Sequence, residues 1–184
     1  MKKISVLIGL FSIITTSSMT SQTIALKANA LSWLTAIPSI AAEVKVADQW
    51  SIDLGIQYNP FSFSNKQWKN AIVYPEVRYW LCDVFEGHFV GAHAHYGVYN
   101  IKNLSLLNRK DQRAEGELYG AGLTYGYHLP LSKVCSVEGY IGLGYARLDD
   151  NVYGPEKGAP LISSKGRNYF GPTRIGISFV YFIY

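Results

Sequence analysis

The feature that most constrains the fold is a period-two alternation of apolar and polar residues, clearest at residues 50–59. Trp50, Ile52, Leu54 and Ile56 fall on one face of this segment, and polar residues or glycine fall on the other. Residues two apart on a β-strand share a face. The segment is therefore predicted to be a strand with an apolar environment on one side and a polar lining on the other.

Seven further segments carry the same alternation and extend the prediction over most of the chain. Glycine recurs on their polar face, which is typical of a tightly curved interior with little room for side chains. Together these segments predict eight strands of about ten residues, the length that a tilted transmembrane strand needs, with both termini at one end. The seven are residues 72–82, 88–100, 118–128, 137–148 and 174–184 and, more weakly, residues 23–33 and 40–47.

The predicted links between strands alternate in length. Short links fall at residues 47–49, 83–87 and 130–133, and the first link on the opposite side, residues 35–39, is also short. Short turns on one side and long loops on the other are typical of outer-membrane barrels, whose long loops face outwards. Pro75 lies on an apolar face and lacks an N–H, so the ladder should be interrupted there. The long polar links are residues 60–70, 102–114 and 149–167.

The N-terminus has the pattern of a secretory signal peptide. Lys2 and Lys3 precede an apolar run over residues 4–16, and small residues follow. This run is too short to span a bilayer, so an N-terminal anchor helix is the weaker interpretation. We predict that residues 1–21 are a signal peptide and that residues 22–184 form the mature domain in the outer membrane of a Gram-negative bacterium.

Composition excludes several other classes of protein. Aromatic residues make up 14% of the chain and charged residues only 16%, which excludes disorder. A mean hydropathy of +0.05 is too low for a bundle of membrane helices. The formal charge of +4 falls to +2 without Lys2 and Lys3, too little to indicate a nucleic-acid partner. Two cysteines cannot build a metal framework or a disulfide scaffold.

A soluble β-barrel or sandwich would place the apolar face in a core and the polar face in water. The polar face here is rich in Gly, Tyr, Ser and His with isolated charges, whereas a solvated face is rich in Lys and Glu. This difference favours a β-barrel in a membrane over a soluble β-barrel or sandwich. The predicted fold is all-β, an eight-stranded antiparallel transmembrane β-barrel in the size class of OmpA and OmpX.

Several motifs resemble a family of small outer-membrane β-barrels of Gram-negative gut bacteria that is described as a domain of unknown function. The most specific are PEVRYW (residues 75–80), GHFVGAHAHYG (87–97), GAGLTYGYH (120–128) and NYFGPTRIGIS (168–178). The resemblance implies an eight-stranded barrel and no established activity. The family tends to carry an Asp-Ala-Thr-type loop after its first strand, where this chain has residues 32–37, SWLTAI.

A polar plug is predicted inside the barrel. An interior this narrow is filled by side chains, so its charged groups must be paired. His93 and His95 share a face, and a hydrogen-bonded pair that fills the interior is favoured over a metal site, which would need Glu138 or His128 as a third ligand. No catalytic arrangement, cofactor site or metal site is predicted. The plug residues are Asp53, Glu76, Arg78, His93, His95, Glu138 and Arg174.

The predicted partners lie outside the barrel. Lys102, Arg109, Lys110 and Arg113 give the loop over residues 102–114 a positive excess that could contact lipopolysaccharide phosphates or a surface partner. Gly176, Phe179 and Tyr181 match the pattern of a recognition signal for the barrel-insertion machinery.

The predicted function is that of a non-enzymatic outer-membrane protein with a structural or surface-interaction role. The alternatives are a lipid-modifying barrel enzyme and a soluble periplasmic barrel that binds an apolar ligand. Cys82, predicted on the inner face of the fourth strand, and Cys135, on the outer face of the seventh, should be free thiols because those strands are not neighbours.

Overall fold

The computed structural model describes residues 24–35, 37–59, 62–63, 66–102, 113–153 and 160–183. Its secondary structure is almost entirely β, with one five-residue helix between the first two strands. No helix among these residues is long and apolar enough to cross a membrane. The elements are β1 (Ile24–Asn29), α1 (Ala30–Leu34), β2 (Ser39–Ala47), β3 (Trp50–Asn59), β4 (Ser62–Phe63), β5 (Lys66–Trp80), β6 (Gly87–Lys102), β7 (Arg113–Pro130), β8 (Cys135–Tyr153) and β9 (Leu161–Ile183).

Eight of the strands form one closed antiparallel ring. Their order is β1, β2, β3, β5, β6, β7, β8 and β9, and β9 returns to pair with β1, with Ile24 opposite Ile183. The two-residue β4 is an addition that pairs with the start of β5. The all-β class and the eight antiparallel strands predicted from the sequence are confirmed. We call the end of the ring that carries the links at residues 48–49, 81–86 and 131–134 the short-turn end, and the opposite end the hairpin end.

The first strand is shorter than predicted. β1 stops at Asn29, and α1 follows, whereas the alternation had predicted a strand as far as Trp33. The Asn29 side chain accepts a hydrogen bond from the Leu31 N–H at 3.1 Å, and the Ser32 hydroxyl donates to the Asn29 carbonyl at 2.8 Å. An Asn at this position satisfies an orphan N–H of the first turn and so favours a helix over a longer strand.

Five of the other strands are longer than the predicted ten residues. β5 to β9 have 15, 16, 18, 19 and 23 residues, whereas β1, β2 and β3 have six, nine and ten. The predicted long loops over residues 149–167 and 60–70 were wrong over part of their length, because β8 and β9 pair as far as Tyr153 opposite Leu161 and β5 already begins at Lys66. The wall of the ring is therefore tall on the side of β5 to β9 and low at β1 and β2.

The two faces of each strand follow the predicted alternation. On β3, for example, Ser51 and Asp53 are buried inside the ring while Ile52 and Leu54 are exposed on the outside. Pro75 faces outwards, and the ladder between β5 and β6 is interrupted there: pairing stops at Val73 and resumes at Glu76. The interruption predicted from the missing N–H is confirmed.

The interior at the short-turn end is closed by an aromatic cluster. Phe85, in the turn between β5 and β6, packs against Phe182 with ring centroids 5.0 Å apart and against Trp80 at 5.7 Å. Phe89 completes the group at 4.9 Å from Trp80. Phe85 has a φ of 72°, a strained value for a bulky residue. Burial of its ring offsets this strain, so the turn folds inwards and covers the short-turn end.

Candidate functional site

A buried ionic cluster fills the middle of the ring. The Arg78 guanidinium on β5 donates to Glu43 on β2 at 3.0 Å, to Glu138 on β8 at 2.8 Å and to Glu76 on its own strand at 3.1 Å. Arg78 and its three partners are 0 to 1% exposed. The Arg78 guanidinium therefore connects β5 to two strands, β2 and β8, that do not pair with it in the sheet.

Two further cations complete the cluster. Lys27 on β1 forms ion pairs with Glu43, with Glu138 at 3.1 Å and with Asp53 at 3.5 Å. Arg174 on β9 donates to Asp53 at 3.0 Å and to Glu76. The cluster thus holds four carboxylates and three permanent cations, with every cation in contact with at least two acids.

The cluster blocks the interior of the ring. Its members come from β1, β2, β3, β5, β8 and β9, and even the most accessible of their side chains, that of Arg174, is only 9% exposed. Charges removed from water need partners of good geometry, and removal of one partner leaves another charge uncompensated. The arrangement can therefore hold the strands in register.

Two histidines, His93 and His95, lie on the inner face of β6. The His93 ring nitrogens lie 2.8 Å from the Thr124 hydroxyl and 3.0 Å from the Thr173 hydroxyl. The His95 ring lies beside it, tilted by 34° with centroids 5.8 Å apart, but His95 Nδ1 has no hydrogen-bond partner among the described residues. Both residues occupy the predicted inner positions. The hydrogen bonds of His93 run to threonines and not to His95.

Inner glycines make room for these side chains. A Cβ on Gly91 would lie 3.0 Å from the Glu76 carboxyl carbon, and one on Gly122 would lie 2.8 Å from the Gly144 Cα and 2.9 Å from His93. The predicted glycine lining is therefore the space into which the charged and imidazole groups of other strands extend.

Three residues of the site were not among the predicted plug residues. Lys27 and Glu43 lie on the inner faces of β1 and β2, where the alternation had placed polar residues, but nothing in the sequence showed which strands face each other across the ring. His128 is fully buried, with Nδ1 3.5 Å from Glu138 and its ring edge-on to Trp80 at 5.6 Å. The only signal for these three residues was that each lies at an inward-facing position in the alternation of its strand.

The predicted loop and insertion residues lie elsewhere on the molecule. Lys102 and Arg113 are opposite each other at the paired ends of β6 and β7, so they are strand residues and not loop residues as predicted. Arg109 and Lys110 lie outside the described residues. On β9, Gly176 faces inwards, and Phe179 and Tyr181 face outwards, 63% and 53% exposed.

The two cysteines are free and exposed near the short-turn end. Cys135 begins β8 on its outer face, as predicted, but Cys82 lies in the turn after β5 and not on the inner face of the strand. β5 ends at Trp80, and the turn that contains Cys82 folds inwards at the buried Phe85.

In the described ranges, no three His, Cys, Asp or Glu side chains are grouped so as to hold a metal ion.

Comparison with known proteins places the chain in one family. No curated protein and no solved structure matches it. A family model described as "Protein of unknown function (DUF3575)" matches residues 6–183, nearly the whole chain. The chain therefore belongs to the DUF3575 family of proteins of unknown function.

Proposed function

We propose that this protein is a transmembrane β-barrel of a Gram-negative outer membrane, exported with residues 1–21 as its signal peptide and closed to solutes by its ionic cluster. Its role is structural or surface-interactive, through the hairpin end, and not catalytic. The single observation that carries the proposal is the outer surface of the ring, which is apolar over a band bounded by aromatic residues at both ends.

The apolar band has the dimensions of a membrane core. On β7, the outward residues Tyr119 and Tyr127 enclose Ala121, Leu123 and Tyr125, and Leu123 is 70% exposed. The eight steps from Tyr119 to Tyr127 span about 26 Å of strand, or roughly 20 Å of membrane depth at a tilt of about 45°. Outer-membrane barrels carry an apolar band about 25 Å tall between aromatic girdles.

Aromatic residues pair across strands at both edges of this band. Near the short-turn end, Trp50 is opposite Tyr79, with ring centroids 5.1 Å apart. Towards the hairpin end, Tyr96 is opposite Tyr119, and Tyr145 is opposite Phe170. Amphipathic rings favour the boundary between apolar membrane and water. A soluble protein rarely exposes so large an apolar surface.

Charged residues replace apolar ones beyond the aromatic edge of the hairpin end. Arg147 pairs with Asp149 at 3.2 Å, and both side chains are nearly half exposed. Lys165 and Arg167 are exposed on β9. These strands extend past the apolar band, which supports a role for the hairpin end outside the membrane, with lipopolysaccharide phosphates as the expected anionic contact.

A charge placed in the band tests the membrane against the soluble alternative. Leu123→Arg should cost about 2–4 kcal/mol of folding free energy in lipid vesicles, because Leu123 lies midway between the aromatic edges. Ser164→Arg, on the exposed hairpin end, is the matched control and should cost less than about 0.5 kcal/mol. Equal stability of the two variants would favour the soluble barrel.

The surface role is tested at the hairpin between β6 and β7. Replacement of residues 103–112 by a short Gly-Ser turn keeps Lys102 opposite Arg113 and should leave the barrel folded while reducing binding to immobilised lipopolysaccharide. The same replacement of residues 154–159 is the control. Unchanged binding, or single-channel conductance of the wild type in planar bilayers, would contradict the proposal. Turnover of bilayer lipid by the wild type would favour the lipid-modifying enzyme instead.

A further inference from the structure

One strand of the ring, β9, has an edge without a partner strand. β1 pairs with β9 only as far as Asn29 opposite Ser178, although β9 continues to Leu161 and pairs with β8 over that length. Among the described strands, no other one pairs with β9 on its β1 side. Residues 163–170 are all exposed. This part of β9 is therefore an open sheet edge, to which another strand can add.

Within the apolar band, side chains cap this edge. The Asn29 side chain donates to the Ile175 carbonyl at 3.2 Å and accepts from the Ile177 N–H at 3.3 Å, as the backbone of a neighbouring strand would. Pro172 has no N–H, and its carbonyl accepts from the Tyr169 hydroxyl at 3.2 Å. These contacts satisfy edge groups at a depth where lipid offers them no partner.

Beyond the aromatic edge of the band, the edge of β9 is exposed to water. Ile175 and Ile177 face outwards and turn backbone groups towards the β1 side, as their bonds to Asn29 show. In an antiparallel ladder, every second residue turns its backbone groups to the same side. Past the bulge at Thr173, these are the residues opposite outward-facing positions of β8. They are Phe170, Asn168, Gly166 and Ser164.

The charge of this segment favours an acidic partner. Residues 161–172 contain Lys165 and Arg167 and no acidic residue. The Asp150 carboxylate on β8 pairs with Arg167 at 2.5 Å, whereas Lys165 forms no ion pair with any residue that the structure describes. Opposite charges on neighbouring strands stabilise their pairing. A carboxylate on an added strand could therefore pair with Lys165.

A second copy of the chain fits this edge poorly. Two copies inserted in one membrane point the same way, so a two-fold axis along the membrane normal would set β9 parallel to its own copy. Lys165 and Arg167 would then lie at the same height as their own copies, and N–H groups would meet N–H groups. Like charges on adjacent strands destabilise the pairing.

We propose that the open edge of β9, residues 163–170, binds an extended acidic segment of another polypeptide, which adds to the sheet as a further strand. Main-chain hydrogen bonds supply the affinity, and Lys165 selects carboxylates on the added strand. This inference rests on the proposed function, because these residues lie outside the membrane only if the apolar band lies within it.

The test is fluorescence anisotropy of a labelled peptide as long as residues 163–170, in which Thr and Glu alternate, with the full mature chain in detergent micelles. Asn168→Pro removes an N–H from the open side only, a position where an edge strand tolerates Pro. It should bind the peptide about tenfold more weakly than the matched control Asn168→Ala, which keeps the N–H, a loss of about 1.4 kcal/mol.

A second variant tests the charge and does not depend on the folding of Asn168→Pro. Lys165→Glu should weaken binding of the Thr–Glu peptide about fivefold and strengthen binding of a Thr–Lys peptide of the same length. Unchanged preference in Lys165→Glu would overturn the acidic partner.

Folding is checked first in every sample by the mobility of unboiled protein in electrophoresis. A wild type without heat-dependent mobility would refute the proposed function, because no barrel has formed. Heat-modifiable wild type that does not bind the Thr–Glu peptide, or equal binding by folded Asn168→Pro and Asn168→Ala, would overturn the inference alone. A wild type that is dimeric in native mass spectrometry and monomeric as Asn168→Pro would assign the edge to a second copy instead.

Discussion

The guanidinium of Arg78 on β5 lies 2.8 Å from the carboxylate of Glu138 on β8, across the interior of the ring. Two strands separate β5 from β8 in the sheet, so this ion pair connects parts of the wall that share no backbone hydrogen bond. Lys27 and Arg174 extend the connection to β1 and β9. The cluster therefore acts as a cross-brace inside the ring.

Loss of the central cation should destabilise the protein severely. Arg78→Ala leaves Glu43, Glu76 and Glu138 short of a partner in a fully buried site, at a cost of about 3–5 kcal/mol. Urea unfolding in lipid vesicles, followed by tryptophan fluorescence, measures the change. The control is Arg147→Ala, which removes an exposed ion pair and should cost less than about 1 kcal/mol. A cost for Arg78→Ala as small as that of the control would mean that the cluster is solvated.

The inner glycines should resist substitution where another strand occupies their Cβ position. Gly122→Ala places a methyl group 2.8 Å from the backbone of Gly144, which cannot move aside without disturbing the ladder, so we expect a loss of about 1–3 kcal/mol. Gly139→Ala meets nothing within 4 Å and should be neutral or slightly stabilising. The same unfolding measurement compares the two, and equal effects would contradict the close approach of β7 and β8.

Both cysteines should react as free thiols. Cys82 lies in the turn after β5 and Cys135 at the start of β8; both are exposed, and β5 and β8 are not neighbours in the sheet. Alkylation of the folded protein without reductant, followed by intact-mass measurement, should add two labels per chain. Failure to label both would indicate a disulfide and a rearranged short-turn end.

Period-two alternation was sufficient to predict most of the ring. The inward and outward faces of β3 could be assigned because polar or glycine residues alternate with apolar ones from Ser51 to Tyr58. The same pattern does not mark where a strand ends beyond the apolar band. Residues 161–167 pair with β8 although they are mostly polar, so they were predicted to be a loop.

The candidate site was only partly predictable. Alternation placed Glu76 and Arg78 on an inner face, but contacts across the ring depend on closure and register, which arise from pairing between distant segments such as β1 and β9. Lys27 and Glu43 therefore could not be joined to Arg78 in advance. The inward turn at Phe85 has no sequence signal either, because a bulky residue with positive φ is stabilised only by its packing.

The central claim is that the closed ring is a barrel in an outer membrane. Its most direct test is semi-native electrophoresis of the outer-membrane fraction from a Gram-negative host that expresses the full chain. A closed barrel has no edge from which to unzip, so unboiled and boiled protein should migrate as different bands. A single band of unchanged mobility, or recovery of the protein from the soluble periplasmic fraction alone, would contradict the account.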